Sequence, residues 1–116
     1  MRLLTKEATV AKYLLKVSYS GEGLKGLMKD GGTGRVRAVE RALGGLGGSV
    51  ESFYFAFGSD DVYVIMDVPD NTAAMAVAAT VASSGAISSF ETVVLLSPAE
   101  VDSAMNVAVD YTPPGG

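Results

Sequence analysis

The chain of 116 residues contains no cysteine, no histidine and no tryptophan. Because zinc in proteins is bound mainly through sulfur and nitrogen, the lack of thiolates and imidazoles nearly excludes a structural zinc site. No disulfide can form, and a typical haem site loses its axial His or Cys. Proton transfer would fall to carboxylates, lysine or tyrosine. We therefore expect no metal site and no bound cofactor.

Positive charge and long apolar runs are also scarce. The formal net charge is −4, and a protein that neutralises phosphates needs a basic face. The same negative net charge argues against binding to an anionic membrane surface. No segment reaches about 18 apolar residues without a charge, and "MRLLTKEATVA" lacks the apolar core of a signal peptide. We expect a cytoplasmic protein that binds neither nucleic acid nor membrane.

The hydrophobic fraction of 48% indicates a chain that folds, and the length favours one domain. We expect an N-terminal arm over residues 1–10, a folded domain over 11–97, and a C-terminal helix with a Pro/Gly tail over 98–116. The pattern of alternation and 3.6-residue periods predicts strands at about 12–19, 49–57, 61–68 and 86–97, and helices within 20–48, 71–85 and 98–108.

Local signals support these boundaries. Ser20 and Asp70 are suited to cap helix N-termini, and Pro98 is suited to a first helical position. "DGGTG" at residues 30–34 interrupts the first helical pattern, which predicts a kink or a break. The order β-α-β-β-α-β is the split βαβ of a ferredoxin-like α+β fold, with one four-stranded antiparallel sheet and two helices on one face.

The central hairpin, "FYFAFGSDDVYVIMDVPD", is apolar on both faces. Alternation predicts one set of side chains as Phe53, Phe55, Phe57, Tyr63 and Ile65, and the other as Val50, Tyr54, Ala56, Val62, Val64 and Met66. Whichever set faces the helices, exposing the other set to water forfeits on the order of 5–10 kcal/mol of stabilising free energy. This amount is comparable to the whole stability of a small domain. The pattern therefore predicts a homodimer or higher homo-oligomer that packs sheet against sheet. Alternatively, the C-terminal helix covers part of this face.

The segments "YLLKVSYSGEGLKGLMKDGG", "GRVRAVERALGGLGGSVESFYFAFGSDDVYVIMDVPD" and "TVASSGAISSFETVVLLSP" resemble the GYD-domain proteins. These are small bacterial and archaeal proteins, largely uncharacterised, that are grouped with the dimeric α+β barrels. The namesake motif Gly-x-Tyr-Asp falls on residues 58–61, where Gly58 and Asp61 match and Asp60 stands in place of Tyr. The resemblance implies a dimeric barrel; related barrels include cofactor-free monooxygenases, haem enzymes and ligand-sensing modules.

Candidate binding residues are charged or aromatic side chains within the strands and the hairpin turn: Lys16, Tyr54, Asp60, Asp61, Tyr63, Asp67 and Glu91. Each has a structural and a functional interpretation. The acids of "GSDD" either hold the turn through backbone N–H groups or bind a cation. The charges within strands either form salt bridges that protect the sheet or line a pocket in which a carboxylate acts as a base.

Two functions remain open at this point. One is an oligomeric interaction or ligand-binding module whose inter-sheet space encloses a small apolar ligand. The other is a cofactor-free enzyme of the monooxygenase or isomerase type, in which the barrel holds a small aromatic or quinone-like substrate and a carboxylate or Tyr moves a proton.

Overall fold

The computed structural model describes residues 11–116, and within them the chain forms four strands and three helices. The predicted N-terminal arm, residues 1–10, lies outside the described residues. The elements are β1 (Ala11–Tyr19), α1 (Gly21–Gly44), β2 (Ser49–Phe55), β3 (Val62–Val68), α2 (Asn71–Ala82), β4 (Ile87–Leu95) and α3 (Pro98–Met105). Their order confirms the predicted β-α-β-β-α-β succession, with the extra C-terminal helix.

The four strands form one antiparallel sheet in the order β2-β3-β1-β4. The two central strands are therefore β1 and β3, which are first and third along the chain. This arrangement confirms the ferredoxin-like α+β fold predicted from the sequence. Both long helices cover the same side of the sheet, which we call the inner face; the opposite side is the outer face.

The core lies between the inner face and the two helices. Its buried members are Tyr13, Leu15, Val17, Leu43, Val62, Val64, Met66, Val68 and Ala74. The central strands supply seven of them through every second residue, as a sheet buried on one side requires. Each of the two long helices contributes one further residue, Leu43 from α1 and Ala74 from α2.

Helix α1 is broken in the middle, as the glycine-rich sequence predicts. Ser20 caps its start by accepting a hydrogen bond from the backbone N–H of Gly23. Gly31 then leaves the helical conformation with φ 76° and ψ 165°, which glycine adopts readily because it has no Cβ. The two halves of α1 therefore meet at a bend above the sheet.

The start of α1 lies unusually close to the chain that enters β4. The backbone N–H of Ser20 donates to the Ala86 carbonyl at 2.8 Å. A Cβ built on Gly23 would approach that same carbonyl oxygen to 2.0 Å, so only glycine fits there without movement of the backbone. This contact fixes the first turn of α1 against the sheet.

The predicted division of the hairpin between the two faces is wrong. Phe53 pairs with Val64 and Phe55 with Val62, so both phenylalanines share the inner face with the buried valines. Tyr63 and Ile65, which the alternation had grouped with them, lie on the outer face. The hairpin loop spans residues 56–61, and its length sets a register that simple alternation across the turn does not reveal.

A β-bulge also disturbs the alternation within β2. The pairing shifts between Val50 and Ser52, so Glu51 is the extra residue. Val50 therefore faces inward opposite Met66, although Phe53, three positions later, faces inward as well. Tyr54 lies opposite Tyr63 on the outer face, and Phe57 lies beyond the strand and is fully exposed.

The C-terminal half follows its predicted signals closely. Asp70 caps α2 by accepting a hydrogen bond from the N–H of Ala73, and Gly85 adopts a positive φ just before β4. Ser97 and Glu100 form a reciprocal capping box at the start of α3, with Pro98 in its first turn. Within residues 11–116, no helix is long and apolar enough to cross a membrane.

Candidate functional site

The outer face carries an apolar band that no helix covers. Pairing across the sheet places Ser52, Ile65, Leu14 and Val93 in one row from β2 to β4. Leu95 lies in the row on one side of this band, and Tyr54 and Tyr63 lie in the row on the other. Among the described residues of this face, none is fully buried. An apolar band of this kind on the uncovered side of a sheet is typical of an interface.

Charged rows flank the apolar band. On one side, the Lys12 ammonium pairs with the carboxylates of Glu51 and Asp67, the latter at 2.7 Å. Those hydrogen bonds, first to Asp67 and then to Glu51, raise the pKa of Lys12. On the other side, Lys16 lies 3.4 Å from Glu91 and 4.0 Å from Asp60. The outer face thus carries its positive charges next to acids of the same chain.

Most of the predicted site residues meet along one of these rows. Tyr54, Tyr63, Lys16 and Glu91 lie side by side across all four strands, and Asp60 reaches Lys16 from the hairpin loop. Asp67 is separated from them by the apolar row and pairs with Lys12 instead. A binding role for these residues stays a prediction; their arrangement is that of salt-bridged charges on a sheet face.

The hairpin loop is hydrogen-bonded to β1 through Asp61. Its carboxylate accepts a hydrogen bond from the backbone N–H of Tyr19 at 2.9 Å, and its own N–H donates to the Val17 carbonyl at 2.8 Å. The Ser18 hydroxyl lies 3.2 Å from an oxygen of Asp60. This geometry fits the structural interpretation of the turn, since Asp61 extends the pairing with β1 by one residue before the start of β3. Among residues 11–116, no cluster of three or more acidic groups is arranged to hold a metal ion.

The chain leaves the sheet on the side of the outer face. A cleft of about 580 Å³ lies between the start of α3 and the outer-face side chains of Lys12, Asp67 and Leu95. Every residue from Leu96 to Gly116 is exposed. Val107, Val109 and Tyr111 occupy alternate positions in the segment that follows α3 and are 66%, 77% and 69% exposed. We call residues 98–111 the C-terminal arm.

A second cavity lies on the inner side, between the sheet and the helices. It has a volume of about 70 Å³ and an almost wholly apolar wall, to which all four strands and both long helices contribute. Two residues with polar groups, Tyr19 and Arg35, line it. The same two side chains also line an adjoining surface cleft of about 240 Å³ beside the first half of α1.

The electrostatics of Tyr19 reflect this position. Burial raises the pKa of the Tyr19 phenol, while the nearby Arg35 guanidinium opposes that rise through its charge and a hydrogen bond. Arg35 also lies 3.5 Å from the carboxylate of Asp30, which precedes the break in α1. The phenol is therefore held in its neutral form at physiological pH and can donate a hydrogen bond.

A family model for the GYD domain matches residues 13–105, which is most of the chain. The chain belongs to the GYD domain family. No curated protein and no solved structure shows significant similarity to it. The matched segment begins in β1 and runs through the whole sheet to the end of α3.

In this GYD domain, the position that resembles the namesake motif is the hairpin loop. Asp61 forms the hydrogen bonds to β1 described above, whereas Asp60, in the place of the aromatic residue, turns toward Ser18 and Lys16. The motif therefore joins the hairpin to the central strand, and its two acids point to different neighbours.

The residue that sequence reasoning missed in this GYD domain is Arg35. It directly follows the "DGGTG" break and is not among the candidate binding residues predicted from the sequence. The break itself is the signal that could have found it, because the second half of α1 starts at a bend and places Arg35 near the end of β1. Tyr19 closes the first predicted strand, and its position at the end of the central strand β1 gives it access to both the cavity and the surface.

Proposed function

We propose that this GYD domain is a self-associating, small-ligand-binding module in which two copies pack outer face against outer face, as in a dimeric α+β barrel. The observation that carries the proposal is the one-sided cover of the sheet. Both long helices lie on the inner face, while the apolar band of Leu14, Ile65 and Val93 has no partner in the described chain. A second copy supplies an identical apolar band, so a two-fold arrangement covers both at once.

The charges of the outer face are compatible with such packing. Lys12 and Lys16 already pair with acids of their own chain on either side of the band. Bringing two bands together therefore leaves no lysine of these rows without a counter-charge. This matters because an unpaired charge at a buried interface costs several kcal/mol. The paired rows form a polar rim around an apolar centre, which is the usual anatomy of a protein interface.

The C-terminal arm also supports a second copy as the occupant. The cleft of about 580 Å³ between α3 and the outer face offers space for part of a neighbouring chain. Val107, Val109 and Tyr111 present a row of apolar side chains to water, and within the described residues the backbone of 108–112 makes no hydrogen bond. Such a segment is stabilised when it packs on another copy, so we assign the arm the role of clasping the partner.

Sedimentation velocity at micromolar concentration tests the proposal. The wild-type chain should sediment as a species of at least twice its 11.9 kDa mass. Ile65→Lys places a charge at the centre of the apolar band, next to Asp67 on the same face, and should shift the protein to the monomer. Ala79→Lys, on the exposed side of α2, is the matched control and should leave the mass unchanged.

Two results would contradict the proposal. One is a folded wild-type monomer at micromolar concentration. The other is an Ile65→Lys variant that keeps the wild-type mass and the wild-type circular dichroism spectrum, since the lysine would then sit on a face that no partner covers.

A further inference from the structure

The inner cavity differs from an ordinary packing defect in having a charged group at one end. Its wall consists of side chains such as Val39, Val64, Val77 and Phe90, while Arg35 and Tyr19 line both this cavity and the adjoining surface cleft. Water in the apolar part would find few hydrogen-bond partners, so a stable water cluster is disfavoured there. The site therefore suits a molecule with one apolar end and one anionic end.

The volume limits the size of the apolar end. A cavity of about 150 Å³ accommodates benzene, whereas the present cavity measures about 70 Å³. An alkyl group of a few carbons fits this space, but an aromatic ring does not. The charged end then falls at Arg35, whose planar guanidinium binds a carboxylate through two parallel hydrogen bonds.

The surroundings of Arg35 favour exchange of one carboxylate for another. Its partner Asp30 is 3.5 Å away and is itself well exposed, so an incoming anion replaces a solvated ion pair. Burial raises the pKa of the neighbouring Tyr19 phenol, which keeps the hydroxyl protonated as a further donor. The phenol oxygen accepts a hydrogen bond from Arg35, so its own O–H is oriented away from the guanidinium and can donate to a ligand.

We propose that the cavity between the sheet and the helices binds a short branched aliphatic carboxylate, with its alkyl group against the valines and its carboxylate on Arg35 and Tyr19. This proposal gives a site and a ligand class to the binding role proposed above. It does not rest on self-association, because the cavity lies on the opposite side of the sheet from the apolar band.

Titration with isovalerate, followed by saturation-transfer NMR on its methyl groups, tests the assignment. Wild type should bind saturably in the millimolar range. Arg35→Gln should weaken binding about tenfold or more, because a charge-assisted pair is lost. Arg37→Gln removes the same charge from an exposed position two residues along α1 and should leave the affinity unchanged. Isovaleramide, which lacks the charge, should bind about tenfold or more weakly than isovalerate.

A second pair of variants probes the apolar end independently of Arg35. Val77→Ile adds a methyl group at the cavity wall and should weaken isovalerate binding, whereas Ala79→Ile on the exposed side of the same helix should not. Circular dichroism establishes that each variant is folded. Absence of saturable binding to wild type, or equal effects within either pair of variants, would overturn the proposal and leave the cavity as a packing defect only.

The Ile65→Lys variant separates this proposal from the preceding one. If the monomeric variant binds isovalerate like wild type, the cavity site stands independently of assembly. If wild type associates but does not bind isovalerate, the ligand assignment is wrong and the self-association proposal is unaffected.

Discussion

The inner and outer faces of the sheet are built from the same strands but differ in whether the chain covers them. On β1, Leu15 faces inward and is 4% exposed, whereas its neighbour Leu14 faces outward and is only half-buried. The centre of the inner face is covered by α1 and α2 within one chain. The outer face carries large apolar side chains along its central row, yet the described chain provides no layer above them. Apolar sequence on both faces therefore does not mean that one chain buries both.

The strongest way to test this contrast is to truncate the two leucines separately. Leu15→Ala should lower the free energy of unfolding by about 2–5 kcal/mol, because it leaves a cavity in a closed core. Leu14→Ala should cost clearly less in dilute solution, where its side chain is partly hydrated. Urea denaturation over a range of protein concentrations measures both effects.

The concentration dependence of the two variants is the sharper part of this comparison. The cost of Leu15→Ala should be the same at every concentration. The cost of Leu14→Ala should grow as self-association increases, because the outer face is then buried. Equal costs for both leucines at the lowest concentration would show that the two faces do not differ as described.

The close approach of α1 to the sheet offers a second test of the inner layer. Gly23→Ala forces a Cβ against the Ala86 carbonyl and should destabilise the fold by about 1–3 kcal/mol. Gly26→Ala, three residues further along the same helix, meets no atom within 4 Å and should stabilise the fold by up to about 1 kcal/mol. Thermal denaturation of both variants distinguishes them, and a neutral Gly23→Ala would mean that the helix is not held tightly there.

Removal of residues 96–116, which include the C-terminal arm, examines the outer layer instead. A chain that ends after Leu95 should keep its fold, because residues 96–116 are all exposed. Its self-association should weaken about tenfold, which corresponds to about 1.4 kcal/mol. Sedimentation equilibrium gives the dissociation constant. Unchanged association would assign the whole interface to the sheet and deny the arm a role in it.

The smallest expected effect concerns the loss of folding stability at alkaline pH. Burial raises the pKa of the Tyr13 phenol, whose hydroxyl donates a hydrogen bond to Asn71. Hydrogen bonds to Asp67 and Glu51 likewise raise the pKa of Lys12. Both groups have a higher pKa in the folded state, so their contribution is complete below about pH 10 and is lost as the pH rises through the folded values.

Tyr13→Phe isolates one of these groups. At neutral pH it should cost about 0.5–1.5 kcal/mol through the lost hydrogen bond. Above about pH 10 the variant should lose stability less steeply than wild type, since its side chain no longer titrates. Tyr111→Phe, in the exposed arm, is the control for an unburied phenol. Urea midpoints measured from neutral to alkaline pH give the stability of each variant. If the midpoints of wild type and Tyr13→Phe fall equally steeply with pH, the Tyr13 phenol is not the group that titrates.

The fold was accessible from the sequence because local signals and periodicity agree along the chain. Ser20, Asp70 and Pro98 mark helix starts, and the period-two pattern of β1 identifies Tyr13 and Leu15 as one face. These signals depend on neighbours close in sequence. The break of α1 at Gly31 follows from the same local chemistry, since a run of glycines disfavours a continuous helix.

The faces of the hairpin and the inner cavity were not accessible in the same way. Which side Phe53 shares with Val64 depends on the loop length and on the bulge at Glu51, which are properties of the paired strands and not of either strand alone. Arg35 and Tyr19 are 16 residues apart and meet only because the helix bends above the end of β1. Such long-range geometry leaves no periodic trace.

The bulge at Glu51 affects how the sequences of relatives are aligned with this chain in β2. Deleting that one residue would restore a regular two-residue rhythm and leave Val50 and Phe53 on the inner face. In an alignment with a relative that lacks the bulge, a gap placed after Tyr54 instead of at the bulge would therefore assign Phe53 and Tyr54 to the wrong sides. Conservation patterns in this strand become interpretable only when the gap is anchored at the bulge.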